Sequence, residues 1–220
     1  MNFDFFKNIK LIIWDWNGTL LNDVDICVDT MNQLLVKYGY PVISVEKYRE
    51  IFSFPVKDYY LKAGFDFEKH SFDVVGMEYI SIYNENFSKT KLLPNAEKVL
   101  DFFYSKNIKQ IIISARENDA LQKDIFQNKI GKYFDEVKGI SNHYAAGKAE
   151  LFEDFFSENS IERSEVVLIG DTVHDCEIAK QFGLNFIQFA NGHQSKSHFS
   201  GCEIISIDDL SELINTNDNL

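Results

Sequence analysis

The sequence predicts an α/β fold built on a parallel sheet with helices on both faces. Three observations carry that expectation. Short β-branched runs recur along the chain, at "IKLIIW" (9–14), "IKQIII" (108–113), "EVVLIG" (165–170) and "LNFIQFA" (184–190). Runs of this length and composition mark buried strands. Helical patterns lie between the later ones, and strand–helix alternation implies parallel pairing with both sheet faces covered. The first run is set apart from the rest by a long helical stretch.

Each element has its own signal. Ala96, Val99, Leu100 and Phe103 recur at helical spacing, as do Lys148, Phe152, Phe155 and Phe156, and then Ile178, Ala179 and Phe182 before Gly183 in a helix-stop position. Roughly seventy residues separate the first strand from the next helix–strand unit, far more than an ordinary crossover. Within them Val24, Cys27, Val28, Met31, Leu34, Leu35 and Tyr38 form one apolar stripe ended by Gly39, and 67–87 reads as a further helix. The chain is therefore expected to carry an α-helical insertion at 22–89 between core segments 1–21 and 90–220.

Composition narrows the function classes. The 220 residues carry a formal net charge of −12. Such a surface repels polyanions, so neither nucleic acid nor an anionic membrane is an expected partner. Cys27, Cys176 and Cys202 form no CxxC, which supports neither a disulfide framework nor a thiolate metal site. No stretch approaches the ~20 apolar residues of a membrane span, and "MNFDFFKNIK" has no long apolar segment, so a cytoplasmic location is expected.

Three strands end in a polar residue able to reach a ligand: Asp15, Ser114 and Gly170-Asp171. Ligands of open α/β sheets bind beyond the carboxyl ends of the strands. "GDTVHD" (170–175) adds Asp175, and Asp15 with Asp171 would offer oxygens suited to Mg²⁺. Taken alone, Asp171 reads better as a helix N-cap, His174 as a solvated first-turn residue and Lys148 as a surface lysine opening a helix. Asn17-Gly18 is also a strong turn dipeptide, so "LIIWDWNGTLL" carries a hairpin signal by local rules.

Taken together, these segments resemble the haloacid dehalogenase-like hydrolase superfamily, typically Mg²⁺-dependent phosphatases. "DWNGTL" (15–20) is similar to its first motif, "IIISA" (111–115) ends like the second, Lys148 fits the third and "GDTVHD" the fourth, in order along nearly the whole chain. The resemblance implies a Rossmann-like core with 22–89 as a helical cap, and the chain looks nearest to the phosphoglycolate-phosphatase-like members. It implies Asp15 as nucleophile, Ser114, Ala115 and Lys148 around the phosphoryl group, and Gly18 and Thr19 in the turn. It implies Mg²⁺ held by Asp15, the Asn17 carbonyl and Asp171, with Asp175 as ligand or anchor. The expected partner is a small phosphorylated metabolite, and the expected assembly a monomer or homodimer.

Asn17 departs from the pattern. Phosphatases of this family usually carry a second Asp there, which protonates the leaving oxygen; an amide cannot. A missing general acid–base costs ~10²–10⁴ in rate. The chain could act on a good leaving group, use another proton donor, or bind a phosphorylated ligand with little turnover. Phosphonoacetaldehyde hydrolases resemble this chain at "DW" and need a cap lysine, for which Lys57 in "FSFPVKDYY" (52–60) is the candidate, although an exposed helix-start lysine is the commoner state. Haloacid dehalogenases need no Mg²⁺, and the Asp171/Asp175 pair argues against them. The aromatic cap segment is expected to set specificity, and His193 in "NGHQS" (191–195) is read as either a substrate contact or part of a plain turn.

Overall fold

The computed structural model describes residues 4–141, 147–199 and 204–215. Cys202 and residues 143–146 before Lys148 lie outside the described residues. The elements run β1 (Leu11–Trp14), β2 (Leu21–Asn22), α1 (Val24–Lys37), α2 (Val45–Ile51), α3 (Val56–Ala63), α4 (Phe72–Asn86), β3 (Lys91–Leu92), α5 (Ala96–Ser105) and β4 (Lys109–Glu117). They continue with α6 (Asn118–Gln127), β5 (Glu136–Ile140), α7 (Lys148–Glu158), β6 (Val166–Gly170), α8 (Val173–Phe182), β7 (Asn185–Phe189), β8 (Ile205–Ile207) and α9 (Glu212–Asn215).

Six strands form one parallel sheet in the order β5-β4-β1-β6-β7-β8. This is a Rossmann-like order, with its switch point beside the central strand β1. The apolar run of β1 is read out on two faces. Ile12 and Trp14 join one hydrophobic core, with Ile112, Val167, Ile169, α1 and α5; Leu11 and Ile13 join the other, with Ile111, Leu168, α7 and α8. A strand buried on both faces has no reason to alternate polar and apolar residues.

The register aligns the strand ends. Trp14 pairs with Ile112 on one side and Ile169 on the other. Asp15, Ser114 and Asp171 therefore emerge at the same carboxyl edge. The Asn17-Gly18 turn closes no hairpin: β1 pairs only with parallel neighbours, and β2 runs antiparallel to β3. Gly18 takes φ +71°, the left-handed conformation glycine adopts without strain.

Helices α1–α4 form the insertion, and β2 and β3 tie its two ends together as a short ribbon. Its interior is aromatic: Tyr60 lies 5.9 Å from Phe65 and 5.7 Å from Phe72, ring centre to ring centre. The helix expected over 67–87 begins only at Phe72, because Phe67 turns inward to stack at 6.1 Å on Phe65. The insertion is fastened to the loop after β7. Arg49 donates to the carbonyls of Gly192 (3.0 Å) and Asn191 (2.9 Å), and the Gln194 amide donates to the carbonyl of Phe52 (2.8 Å).

Candidate active site

The site begins where β1 stops. Asp15 is the first residue beyond the strand, its N–H still donating to the carbonyl of Ile169 at 2.9 Å. Its carboxylate accepts from the buried ammonium of Lys148, which also donates to Asp175 at 2.6 Å. Lys148 reaches this position from the first turn of α7. Gly147, at φ +100°, turns the chain into that helix. The expected surface lysine is thus only 3% exposed and bridges two carboxylates.

Asp171 and Asp175 arrive from β6 and α8. Thr172, not Asp171, caps α8: its hydroxyl accepts from Asp175 N–H, and Asp175 accepts in return from the Thr172 N–H and hydroxyl. This closed capping box frees Asp171 and fixes Asp175. Gly170 makes the approach possible, since a Cβ there would stand 2.6 Å from the Asp175 carboxyl carbon. Asp171 accepts from the Thr19 hydroxyl at 3.0 Å and from the His193 N–H at 2.6 Å. Thr19 therefore orients a carboxylate, and neither it nor Gly18 lines the cavity above.

Carboxylate oxygens of Asp15, Asp171 and Asp175 all lie within 4.8 Å of one another. Burial drives the carboxyl of Asp15 upward against the pull of Lys148, with Asp175 and Asp171 adding to the rise. Burial likewise raises Asp171, opposed by His193. For Asp175, burial is overridden by Lys148 and Thr172, which hold it below the usual carboxylate range. Lys148 stays charged, because Asp15 and Asp175 together outweigh its burial. Three buried carboxylates against one ammonium leave a local negative excess, and a hard divalent cation with oxygen ligands would neutralise it. The donor set fits Mg²⁺.

A second network sits beside the first. The Asn17 amide donates to Asp23 Oδ2 (2.7 Å), as does the Tyr83 hydroxyl (2.9 Å), while the Gly18 N–H donates to Asp23 Oδ1 (3.0 Å). His193 Nε2 lies 3.2 Å from Asp23 Oδ1, and its Nδ1 is 2.8 Å from the Tyr48 hydroxyl. Burial works against the charge on both partners, but the pairing wins: His193 rises to about 9 and Asp23 falls to about 2. His193, read from the sequence as either a substrate contact or part of a plain turn, lines the cavity and forms a buried ion pair to the insertion. Asp23, Tyr48 and Tyr83 carry no motif; only the fold brings Asp23 and Tyr48 to His193, and Tyr83 to Asp23 and Asn17.

Above the carboxylates lies a cavity of ≈ 200 Å³, lined by Asp15, Ser114, Ala115 and Lys148 below and by aromatic residues of the insertion above. Ser114 is buried, its hydroxyl accepting from the Arg116 N–H at 3.1 Å. His174, expected to be solvated, is half-buried in the wall, its ring 5.4 Å from that of Phe54. Lys57 is exposed at the start of α3, its ammonium 5.8 Å from the rings of Phe67 and Phe72, and it does not line the cavity. This corrects its expected substrate-binding place. Among the described lining residues Lys148 is the only lysine, so the cap amine of a phosphonoacetaldehyde hydrolase has no counterpart there.

Comparison with known proteins agrees with this architecture. A phosphoglycolate phosphatase of Pseudomonas fluorescens is 23% identical over 192 residues, spanning 84% of this chain and 70% of its own. Among solved structures, Protein Tyrosine Kinase A of Mycobacterium tuberculosis superposes with a TM-score of 0.80 at 18% identity, covering 95% of this chain and 98% of its own. A predicted phosphoglycolate phosphatase from Haemophilus somnus superposes with a TM-score of 0.74 at 14% identity, covering 96% and 98%. At such identities the two structures share the fold with this chain and no more. The profile of haloacid dehalogenase-like hydrolases matches residues 12–189, and the chain belongs to that family.

Proposed function

We propose that the protein hydrolyses small phosphate monoesters with Mg²⁺, through a phosphoryl group carried transiently on Asp15. The observation that carries this reading is the placement of the Asp15 carboxylate. It lies on the floor of the cavity, bonded to Lys148 and grouped with Asp171 and Asp175. An Asp15 oxygen would bond to phosphorus as the ester P–O bond breaks, and water would then attack phosphorus to release phosphate and restore the carboxylate. Lys148 and the Ser114 hydroxyl would hold the phosphoryl oxygens, with Ala115 beside them. Asp15, Asp171 and the Asn17 carbonyl would hold the metal. Both Asp175 oxygens are engaged by Lys148 and Thr172, which favours an anchoring role for it. Mg²⁺, when bound, would neutralise charge on the phosphoryl oxygens.

Turnover of an aryl phosphate, measured with Mg²⁺ and then with EDTA, tests the proposal. Activity is expected to vanish with EDTA and in Asp15→Asn, and metal-independent turnover would refute it. The Asn17 amide, already committed to Asp23, favours a second reading in which the protein binds a phosphorylated ligand and barely turns it over. Tight Mg²⁺-dependent binding without hydrolysis across a broad phosphate panel would select that reading.

A further inference from the structure

We propose that the substrate is an aryl phosphate: a phosphate monoester of one aromatic ring joined through a phenolic oxygen. The inference rests on the hydrolase reading above and draws on two separate features, the cavity wall and the chemistry at position 17.

The wall is apolar and aromatic. Phe54, Tyr59 and Tyr60 face the cavity from α3 and the segment before it, and Phe72, Tyr79 and Ile80 face it from α4. Flat rings meet such a wall by edge-to-face and offset stacking. Size agrees as well: the cavity holds ≈ 200 Å³, and one of roughly 150 Å³ takes a benzene ring. Gly76 leaves a gap in the wall, since a Cβ built there meets no atom within 4 Å.

The wall offers no cation for a second anionic group. Among the described lining residues, Lys148 is held by Asp15 and Asp175 at the phosphoryl end. The Arg116 guanidinium is held by Asp124 at 3.0 Å and Asn84 at 3.1 Å, stacked 4.9 Å over Tyr83. His193 is paired with Asp23, and the His174 ring packs 5.4 Å from that of Phe54 with its Nδ1 3.9 Å from Glu177. The Glu117 carboxylate is turned to the start of α6, where it accepts from the N–H groups of Asp119 and Ala120. A small carboxylate-bearing phosphate such as phosphoglycolate would meet aromatic faces with no cation among the described lining residues left to pair its carboxylate.

Position 17 points to the same class. When the Asp15–phosphorus bond forms, the leaving oxygen departs with the electron pair of the broken P–O bond. Asn17 has no proton to give it. An alkoxide, whose conjugate acid resembles water at about 15.7, departs poorly without one. A phenolate, with a conjugate acid near 10, can depart as the anion and take its proton from solvent afterwards. Water then attacks the phosphoryl group and returns Asp15 to its starting state.

The test is kcat/KM with Mg²⁺ for phenyl phosphate, benzyl phosphate and phosphoglycolate, with acetyl phosphate as a ringless ester of good leaving group. Phenyl phosphate is expected to exceed phosphoglycolate and benzyl phosphate by roughly 100-fold or more. In Gly76→Leu the phenyl phosphate value should fall roughly 10-fold while that for acetyl phosphate holds. Gly76→Ala is the folding control, because Ala favours a helix more than Gly does. Equal or better turnover of phosphoglycolate, or an equal loss on both esters in Gly76→Leu, would overturn the substrate class and leave the hydrolase reading standing. No Mg²⁺-dependent turnover of any ester would overturn the hydrolase reading instead. Calorimetric titration with phenylphosphonate and phosphonoacetate would then decide the class: preference for the ring sustains it, and its absence overturns it.

Discussion

The side-chain amide of Asn17 donates to Asp23 Oδ2 at 2.7 Å. Two residues beyond Asp15, where the family resemblance implies a proton donor, the chain has an amide locked onto a carboxylate. Asn17→Asp would place two carboxylates at that distance, so they would share one proton. We predict that kcat/KM rises more for alkyl than for aryl phosphates, and that stability falls by roughly 1–3 kcal/mol. Adding Asp23→Asn should restore part of that stability. Equal gains on both ester classes would refute the leaving-group account.

Mg²⁺ should stabilise the fold through Asp15 and Asp171. At 100 times its dissociation constant a ligand adds about 2.7 kcal/mol. For a chain of this size that raises Tm by roughly 5–10 °C. Differential scanning fluorimetry with Mg²⁺ and with EDTA reads the shift. In Asp171→Asn the shift should collapse, and an undiminished shift would place the metal elsewhere.

The Asp23–His193 pair gives a pH signature. His193 is raised to about 9, so its contribution is complete below its unfolded value near 6.5 and is lost as pH climbs through 9. Asp23 is lowered to about 2, so its contribution is complete above an unfolded value near 4 and is lost as pH falls through 2. Urea unfolding in EDTA should show up to about 3 kcal/mol lost between pH 6.5 and 9.5. The same window should be flatter in His193→Asn. Parallel profiles would mean that the pair does not stabilise the fold.

Gly18→Ala tests the turn itself. The residue sits at φ +71°, and a Cβ there would lie 2.5 Å from both Asp171 Oδ2 and His193 Cδ2. A loss of roughly 1–3 kcal/mol is expected. Activity and the Mg²⁺ shift in Tm should fall together, because the new methyl group displaces a carboxylate that would hold the metal. Retained activity would show that this turn tolerates movement.

The core was legible because its signals are local. A four-residue apolar run, a strand end and a following polar residue place Asp15 and Asp171 without knowledge of any contact. The strands β5 and β8 escaped because they are short, partly exposed edges of the sheet: "EVKGI" carries two charges within five residues. Helices α2 and α3 are only seven and eight residues long, too short to show a period. Asp23 lies just before α1 and resembles an ordinary helix-start acid, although its side chain caps nothing there. Its partner His193 is 170 residues further along the chain, a distance at which no sequence pattern operates. The fate of Lys148 was ambiguous for the same reason, since only the fold shows that two carboxylates await it.

The fastening of the insertion to the loop after β7 and the support of the acidic cluster meet in one short segment. Both legs of the insertion pass through the β2–β3 ribbon. Arg49 holds two carbonyls of the loop, and the Tyr48 hydroxyl meets the His193 ring. The backbone N–H of that same histidine holds Asp171. A single residue of the loop thus ties the insertion to a carboxylate of the core, so a change at His193 is felt on both sides of the cavity.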